Sequence, residues 1–238
     1  MSINVFEDAI NQIEFVRDEC IEIFEALKKF CPADADENYP DTFRLIATPM
    51  FYSVWERCFT TCQAVSLRMI RDRTSKACDL PPSQRTAWLL RAPFYQSFCA
   101  QLKNNNFNLD PLKEAKKGQF AITAEFLSSL EQWASAPLDP ACDADDVVMI
   151  FSNVNPDVVK VNSNAVGIDS DEDFKKLKFG RLHDLVGLRN SIGHGAIISA
   201  PSNDQFRDLW EFTEDLIKDY CATFVSWIRS QQSMIERG

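Results

Sequence analysis

Residues 185–195 read LVGLRNSIGHG, and this stretch decides which fold and which chemistry are expected of the chain. It places Arg189 five positions before His194, which is one of only 2 histidines among 238 residues. Gly193 and Gly195 flank that histidine, and this spacing predicts the end of a helix. An arginine can stabilise charge on a phosphate, and a histidine can transfer a proton near neutral pH. The stretch therefore indicates phosphodiester chemistry that needs no metal ion.

The helix that carries this motif has two different faces when its residues are placed at about 100° intervals. The predicted inward stripe consists of Leu182, Leu185, Leu188 and Ile192. The opposite, polar face consists of His183, Gly187, Asn190 and His194. We expect Arg189 near the edge of the apolar stripe, where its permanent charge needs a carboxylate or a phosphate partner. The alternative is a structural salt bridge beside a surface histidine at a helix C-terminus.

The composition predicts one packed domain over residues 1–238, because 45% of the residues are hydrophobic and 18 of them are Phe. The sequence has neither a signal-peptide pattern nor an apolar run of about 18 residues. We therefore expect a cytoplasmic protein without membrane contact. The net charge of -10 disfavours general affinity for nucleic acid, so RNA would need a local basic patch. The candidates for that patch are Lys175, Lys176, Lys178 and Arg181, which alternatively form a solvated helix face.

The chain has 8 cysteines, and most of them stand at positions typical of buried helix faces. Cys58 and Cys62 lie one helical turn apart and could bind a metal ion, but no histidine is near them in sequence. We interpret them as structural thiols in the core of an intracellular protein. No metal site and no cofactor are expected.

The apolar spacing predicts helices rather than strands along most of the chain. Predicted helices cover about 3–30, 41–76, 83–103, 120–135 and 171–194, and a last helix runs from a capping box at Ser202 and Gln205 to about 232. Pro49 is expected to kink or divide the second helix, and Pro93 is expected to interrupt the helical region 83–103. Residues 147–151 predict a short strand or a buried extended segment, and residues 153–170 an irregular stretch with a short helix after Pro156. The motif-bearing helical core is expected at about 171–232.

The motif resembles the signature of HEPN domains, in which an arginine and a polar residue precede a histidine by a few positions. It is most similar to the RiboL-PSP subgroup, and further matching segments are residues 51–56 (FYSVWE), 153–155 (NVN) and 167–169 (GID). The resemblance covers most of the chain and is densest from about 150 to 230. It implies an all-α, HEPN-like bundle of long antiparallel helices with loop insertions. It also implies a homodimer whose active site combines two copies of the motif.

Many HEPN proteins are metal-independent endoribonucleases of toxin–antitoxin, antiphage defence or RNA-processing systems. The resemblance implies catalytic roles for Arg189, Asn190 and His194, RNA cleavage by 2′-hydroxyl attack, and an antitoxin or activator as a partner. Helix geometry and local pattern add His183 and Glu56 as supporting residues. Ala196 occupies the position of a tyrosine that some HEPN toxins carry, so regulation by modifying that tyrosine is not expected. The alternative is a non-catalytic HEPN adaptor that binds nucleotide, RNA or a partner protein.

Overall fold

The computed structural model describes residues 5–30, 38–104, 117–139, 142–151, 153–174, 177–195 and 199–236. These residues form helices joined by loops and contain no β-strand, which confirms the predicted all-α class. The helices are α1 (Val5–Lys29), α2 (Asp41–Arg73), α3 (Pro82–Leu89), α4 (Pro93–Asn104), α5 (Lys117–Ala134), α6 (Ala144–Val147), α7 (Pro156–Val166), α8 (Ser170–Asp173), α9 (Phe179–Gly193) and α10 (Asn203–Glu236). Within the described ranges, no helix combines the length and the apolar character that a membrane span requires.

Helices α1 and α2 pack side by side in opposite directions. Phe24, late in α1, stacks on Phe51 in the first half of α2, with 5.4 Å between the ring centroids. At the other end of the pair, the guanidinium of Arg73 lies 4.2 Å from the ring centroid of Phe6. The buried residues of α1 are three or four positions apart, as on one face of a helix: Ala9, Ile13, Val16, Cys20, Phe24 and Leu27.

Helix α10 completes the core and runs parallel to α2. Phe206, near its start, lies 5.3 Å from Phe51, and Tyr220, further along, lies 6.0 Å from Phe59, measured between ring centroids. Aromatic rings therefore fill the space between the two longest helices, where their burial contributes most to stability. Helix α1 therefore runs antiparallel to both α2 and α10, as expected of a bundle of long antiparallel helices, while α2 and α10 are parallel to each other.

The predicted capping box before α10 is present. The backbone N–H of Gln205 donates to the Ser202 hydroxyl at 3.2 Å, and the Ser202 N–H donates to Oε1 of Gln205 at 3.0 Å. Pro49 does not divide α2, which is helical from Asp41 to Arg73. The break expected at Pro93 in the helical region 83–103 is confirmed, since α3 ends at Leu89 and Pro93 begins α4, where its fixed φ suits a first helical position.

Two further segments differ from the predictions. Residues 147–151 form no strand: Val147 ends α6, and the buried Val148 continues into irregular backbone. The helix predicted over 171–194 is instead the short α8 followed by α9. In contrast, the short helix expected after Pro156 is present as α7, and Gly167 ends it with a φ of 84°.

Candidate active site

Helix α9 presents the motif by packing against α2. Its buried residues are Leu182, Leu185 and Val186. Leu188 and Ile192, which were predicted to face inward, are only partly buried. The predicted stripe was therefore wrong in its rotation, because Val186 rather than Leu188 faces the core. As a result, Arg189 lies inside the buried arc of the helix and not at its edge.

The guanidinium of Arg189 is half-buried and is held by neutral groups. Its Nη1 donates to Oδ1 of Asn190 at 2.9 Å and to Oδ1 of Asn153 at 3.3 Å. The guanidinium carbon lies 5.0 Å from the ring centroid of Tyr52, which is a cation–π distance. Among the described residues, no carboxylate lies within ion-pair distance of this arginine. Its orientation is therefore fixed, and no carboxylate of the described segments neutralises its positive charge.

Tyr52 supports the arginine from α2 and is itself held at its hydroxyl. The hydroxyl accepts the backbone N–H of Val154 at 2.8 Å and lies 3.2 Å from Oε1 of Glu56, to which it can donate. Burial raises the pKa of Tyr52 to about 12, so the hydroxyl keeps its proton at neutral pH. The indole N–H of Trp55 donates to the carbonyl of Val154 at 3.3 Å. Residues 51–56 and 153–155 are thus tied together directly beneath Arg189.

The Asn-Val-Asn segment is positioned by the start of α7. Asn155 is the N-cap, and its side chain accepts the N–H of Val158 at 3.0 Å, while Pro156 takes the first helical position. Val154 is fully buried. Because the cap and the buried valine fix the flanking backbone, Asn153 is placed within reach of Arg189. Asn153 and Tyr52 were not predicted as site residues, although both stand in segments that carry the family resemblance.

His194 lies at the C-terminal end of α9 and is exposed to solvent. Its backbone N–H donates to the carbonyl of Asn190 at 2.9 Å, as in a regular helix end. The side-chain oxygen of Asn190 is occupied by Arg189, and within the described residues no hydrogen bond joins the two side chains of Asn190 and His194. In one chain, Asn190 therefore positions the arginine rather than the imidazole.

The predicted supporting residues separate into two places. Glu56 is half-buried and reaches the arginine only through Tyr52. His183 is exposed and lines a different surface, a groove of about 450 Å³ between α9 and α10. Gly187 lies on the same groove, and a Cβ built there would meet no atom within 4 Å. The structure therefore brings Glu56, but not His183, towards Arg189.

The predicted basic patch is only partly described. Lys178 is exposed. Arg181 is half-buried, and its guanidinium pairs with Asp208 at 3.3 Å on the wall of the groove between α9 and α10. Lys175, Lys176 and Ala196 lie outside the described residues. A continuous basic surface at this point thus stays a prediction.

A comparison with known protein families covers all the segments that form this site. The model of the RiboL-PSP-HEPN family matches residues 14–228, a range that includes Tyr52, Asn153 and the whole of α9. No curated protein and no solved structure matches the chain. The match extends over most of the 238 residues. The chain therefore belongs to the RiboL-PSP-HEPN family.

Proposed function

We propose that this protein is a metal-independent endoribonuclease. The observation that carries the proposal is the environment of Arg189, which is half-buried, oriented by two amide oxygens and an aromatic ring, and unpaired with any described carboxylate. A fixed cation of this kind is preorganised to stabilise the negative charge that develops on a phosphate in the transition state. Family membership supports ribonuclease-like or nucleotide-binding chemistry more generally.

In the proposed reaction, the RNA supplies its own nucleophile. The 2′-oxygen forms a bond to the adjacent phosphorus, the bond from phosphorus to the 5′-oxygen breaks, and the products carry a 2′,3′-cyclic phosphate and a 5′-hydroxyl. A base takes the proton of the 2′-hydroxyl, and an acid gives a proton to the leaving 5′-oxygen. We assign proton transfer to His194, phosphate binding to Arg189, and the positioning of that arginine to Asn190.

The chemistry requires two proton transfers, and each chain offers one motif histidine. We therefore propose a homodimer in which two α9 helices share one cleft. His183, Gly187 and His194 share a solvent-exposed side of α9, and Gly187 leaves space for close approach of a second helix. A two-fold axis beside this face would bring the His194 side chains of both chains into one cleft.

The biological setting that we propose is a prokaryotic toxin–antitoxin or antiphage defence system in the cytoplasm. RNA would be the substrate, and an antitoxin or an activator protein would control the activity. This setting rests on the family alone. The second candidate is a non-catalytic module that binds nucleotide, RNA or a partner protein. The ion pair of Arg181 with Asp208 and the net charge of -10 weaken general RNA affinity, so they favour the form of this module that binds nucleotide or a partner protein.

The deciding experiment compares the wild-type protein with His194→Ala on a fluorescent RNA in the presence of EDTA. We expect wild-type cleavage with cyclic-phosphate ends, and a loss of roughly 10²–10⁴-fold in the variant. His194 is exposed, so circular dichroism should show an unchanged fold. Activity that needs magnesium, or persistent cleavage by a folded His194→Ala dimer, would refute the proposed mechanism. Binding of RNA without cleavage would support the second candidate.

The dimer is tested separately by mixing. The inactive Arg189→Ala/His194→Ala double variant is added in excess to the wild-type protein, and heterodimers are verified by differently tagged chains. Heterodimers should show depressed cleavage, because a shared cleft would then lack half of its groups. A monomer that cleaves at the full rate, or verified heterodimers with unchanged activity, would show that each chain carries a complete site.

A further inference from the structure

Four cysteines from three helices meet inside the core, away from the motif. Cys20 comes from α1, Cys58 and Cys62 from α2, and Cys221 from α10, and all four are buried. Cys58 and Cys221 are 163 positions apart in sequence, yet their sulfur atoms are 3.4 Å apart. The sulfur of Cys62 lies 3.8 Å from that of Cys221. The sulfur atoms of the last three all lie within 4.8 Å of one another.

These distances match the edges of a metal–thiolate polyhedron. Zinc bonds to thiolate sulfur at about 2.3 Å in tetrahedral geometry, which places neighbouring sulfurs at about 3.8 Å from each other. The observed separations of 3.4 and 3.8 Å lie close to that edge length. One ion at the centre of the three sulfur atoms would therefore require only small side-chain shifts.

The chemical nature of the side chains in this cluster also indicates which metal ion it would bind. The three converging groups are all thiols, and the fourth cysteine, Cys20, lies beside Cys58. Soft thiolate ligands favour zinc and related soft cations over calcium, magnesium or manganese, which prefer oxygen ligands. Thiols that serve only as small apolar side chains need no mutual contact. The other described cysteines, Cys78, Cys99 and Cys142, are exposed or half-buried and do not belong to this cluster.

We propose that Cys58, Cys62 and Cys221 bind one zinc ion, with Cys20 as the fourth ligand. Each cysteine releases its thiol proton on binding, and the cation balances thiolate charge that an apolar core would otherwise exclude. The site joins α1, α2 and α10, so its role is structural. It is independent of the proposed ribonuclease mechanism, because none of its ligands contacts Arg189 or His194 among the described hydrogen bonds. The sequence alone favoured structural thiols over metal binding at Cys58 and Cys62, and the approach of Cys221 to both is the observation that favours a metal site.

The wild-type protein tests the site directly. Chain produced in zinc-containing medium, without a metal-binding tag, is dialysed against EDTA and analysed for bound metals by mass spectrometry. We expect about one zinc per chain to be retained, and to be released together with thiols on titration with a mercurial. Cobalt added during refolding should give the visible absorption of tetrahedral cobalt–thiolate. Less than about a tenth of an equivalent of zinc in well-folded protein, or an intact mass two hydrogens low from a disulfide, would overturn the proposal.

Variants then locate the ion. Cys221→Ser should lower retained zinc from about one to below roughly a tenth per chain and lower the melting temperature. Ala64→Ser is the matched control, because it introduces the same hydroxyl at a buried position of α2 and leaves all thiols in place. Cys78→Ser removes an exposed thiol outside the cluster. Both controls should retain the zinc of the wild-type protein, and loss of zinc in Cys78→Ser but not in Cys221→Ser would place the ion elsewhere.

Discussion

Replacing Arg189 by alanine should abolish cleavage while leaving the chain folded, and the structure gives the size of both effects. The arginine makes one short and one long hydrogen bond to amide oxygens and one cation–π contact. At a half-exposed site such contacts together contribute about 2 kcal/mol, because water can replace part of them in the variant. In a chain of this size, that loss lowers the melting temperature by about 4–8 °C.

The expected loss of activity is larger than this loss of stability can explain. Removing a charge that stabilises the transition state costs about 10²–10³-fold in rate, or about 2.7–4 kcal/mol. A domain with a stability of about 5–15 kcal/mol that loses about 2 kcal/mol remains more than about 99% folded at 25 °C. Unfolding therefore accounts for almost none of the lost cleavage.

The assay measures single-turnover cleavage of a labelled RNA beside thermal melting of the same samples. Arg73→Ala is the control, since Arg73 also lies over an aromatic ring, Phe6, but at the far end of α2. It should melt slightly lower and cleave normally. Arg189→Lys keeps the positive charge but loses the planar guanidinium, which can donate two parallel hydrogen bonds to a phosphate. Its cleavage rate should therefore lie between those of the wild type and Arg189→Ala. Cleavage by folded Arg189→Ala within about threefold of wild type would refute the reasoning.

Three further predictions concern Tyr52, Gly167 and Gly187. The raised pKa of Tyr52, about 12 because of burial, means that the unfolded chain loses this proton first. The free energy of unfolding should therefore be insensitive to Tyr52 up to about pH 10 and should fall between about pH 10 and 12, and denaturant titrations should show a smaller fall in Tyr52→Phe. Gly167→Ala should destabilise the chain by about 1–3 kcal/mol in thermal melts, because φ is 84° and the added Cβ would lie 2.5 Å from Nε2 of Gln84, and an unchanged melting temperature would contradict this. Gly187→Ala should raise the stability of the single chain by about 0.5–1 kcal/mol, since the Cβ meets nothing, but should weaken the proposed dimer in sedimentation experiments, and unchanged dimerisation would place the interface on another face.

The helix ends could be predicted because their signals are local. Ser202 and Gln205 stand three positions apart and make the reciprocal hydrogen bonds that the capping pattern predicts. Pro156 begins α7 for an equally local reason. The rotation of α9 was not determined locally, because Val186 and Leu188 are both apolar and either can complete a stripe. Packing against α2 decides between them, and this information is not contained in the periodicity.

The surroundings of the arginine could be predicted only in part. Arg189 and Asn190 were identified from the motif, but Asn153 lies 36 positions earlier in the chain, and its contact depends on the cap that positions α7. Tyr52 reaches the same place from α2. The cysteine cluster follows the same rule, since Cys58 and Cys62 were visible as an i, i+4 pair and their third partner comes from α10. Contacts between segments that are distant in sequence arise from tertiary packing, so they could not be predicted from the local pattern of one sequence.

A single chain orients the residue proposed to stabilise the phosphate but does not orient the residue proposed to transfer the proton. The electrostatic half of the proposed chemistry is complete, because Arg189 is held by Asn153, Asn190 and Tyr52 and its charge is unpaired among the described residues. The proton-transfer half is not, because His194 stands exposed at a helix end and its side chain makes no described hydrogen bond to Asn190. Preorganised charge without an oriented base binds phosphate but cleaves slowly. In the proposed dimer, the α9 helix of the partner chain would orient His194 and so convert a phosphate-binding site into a catalytic site.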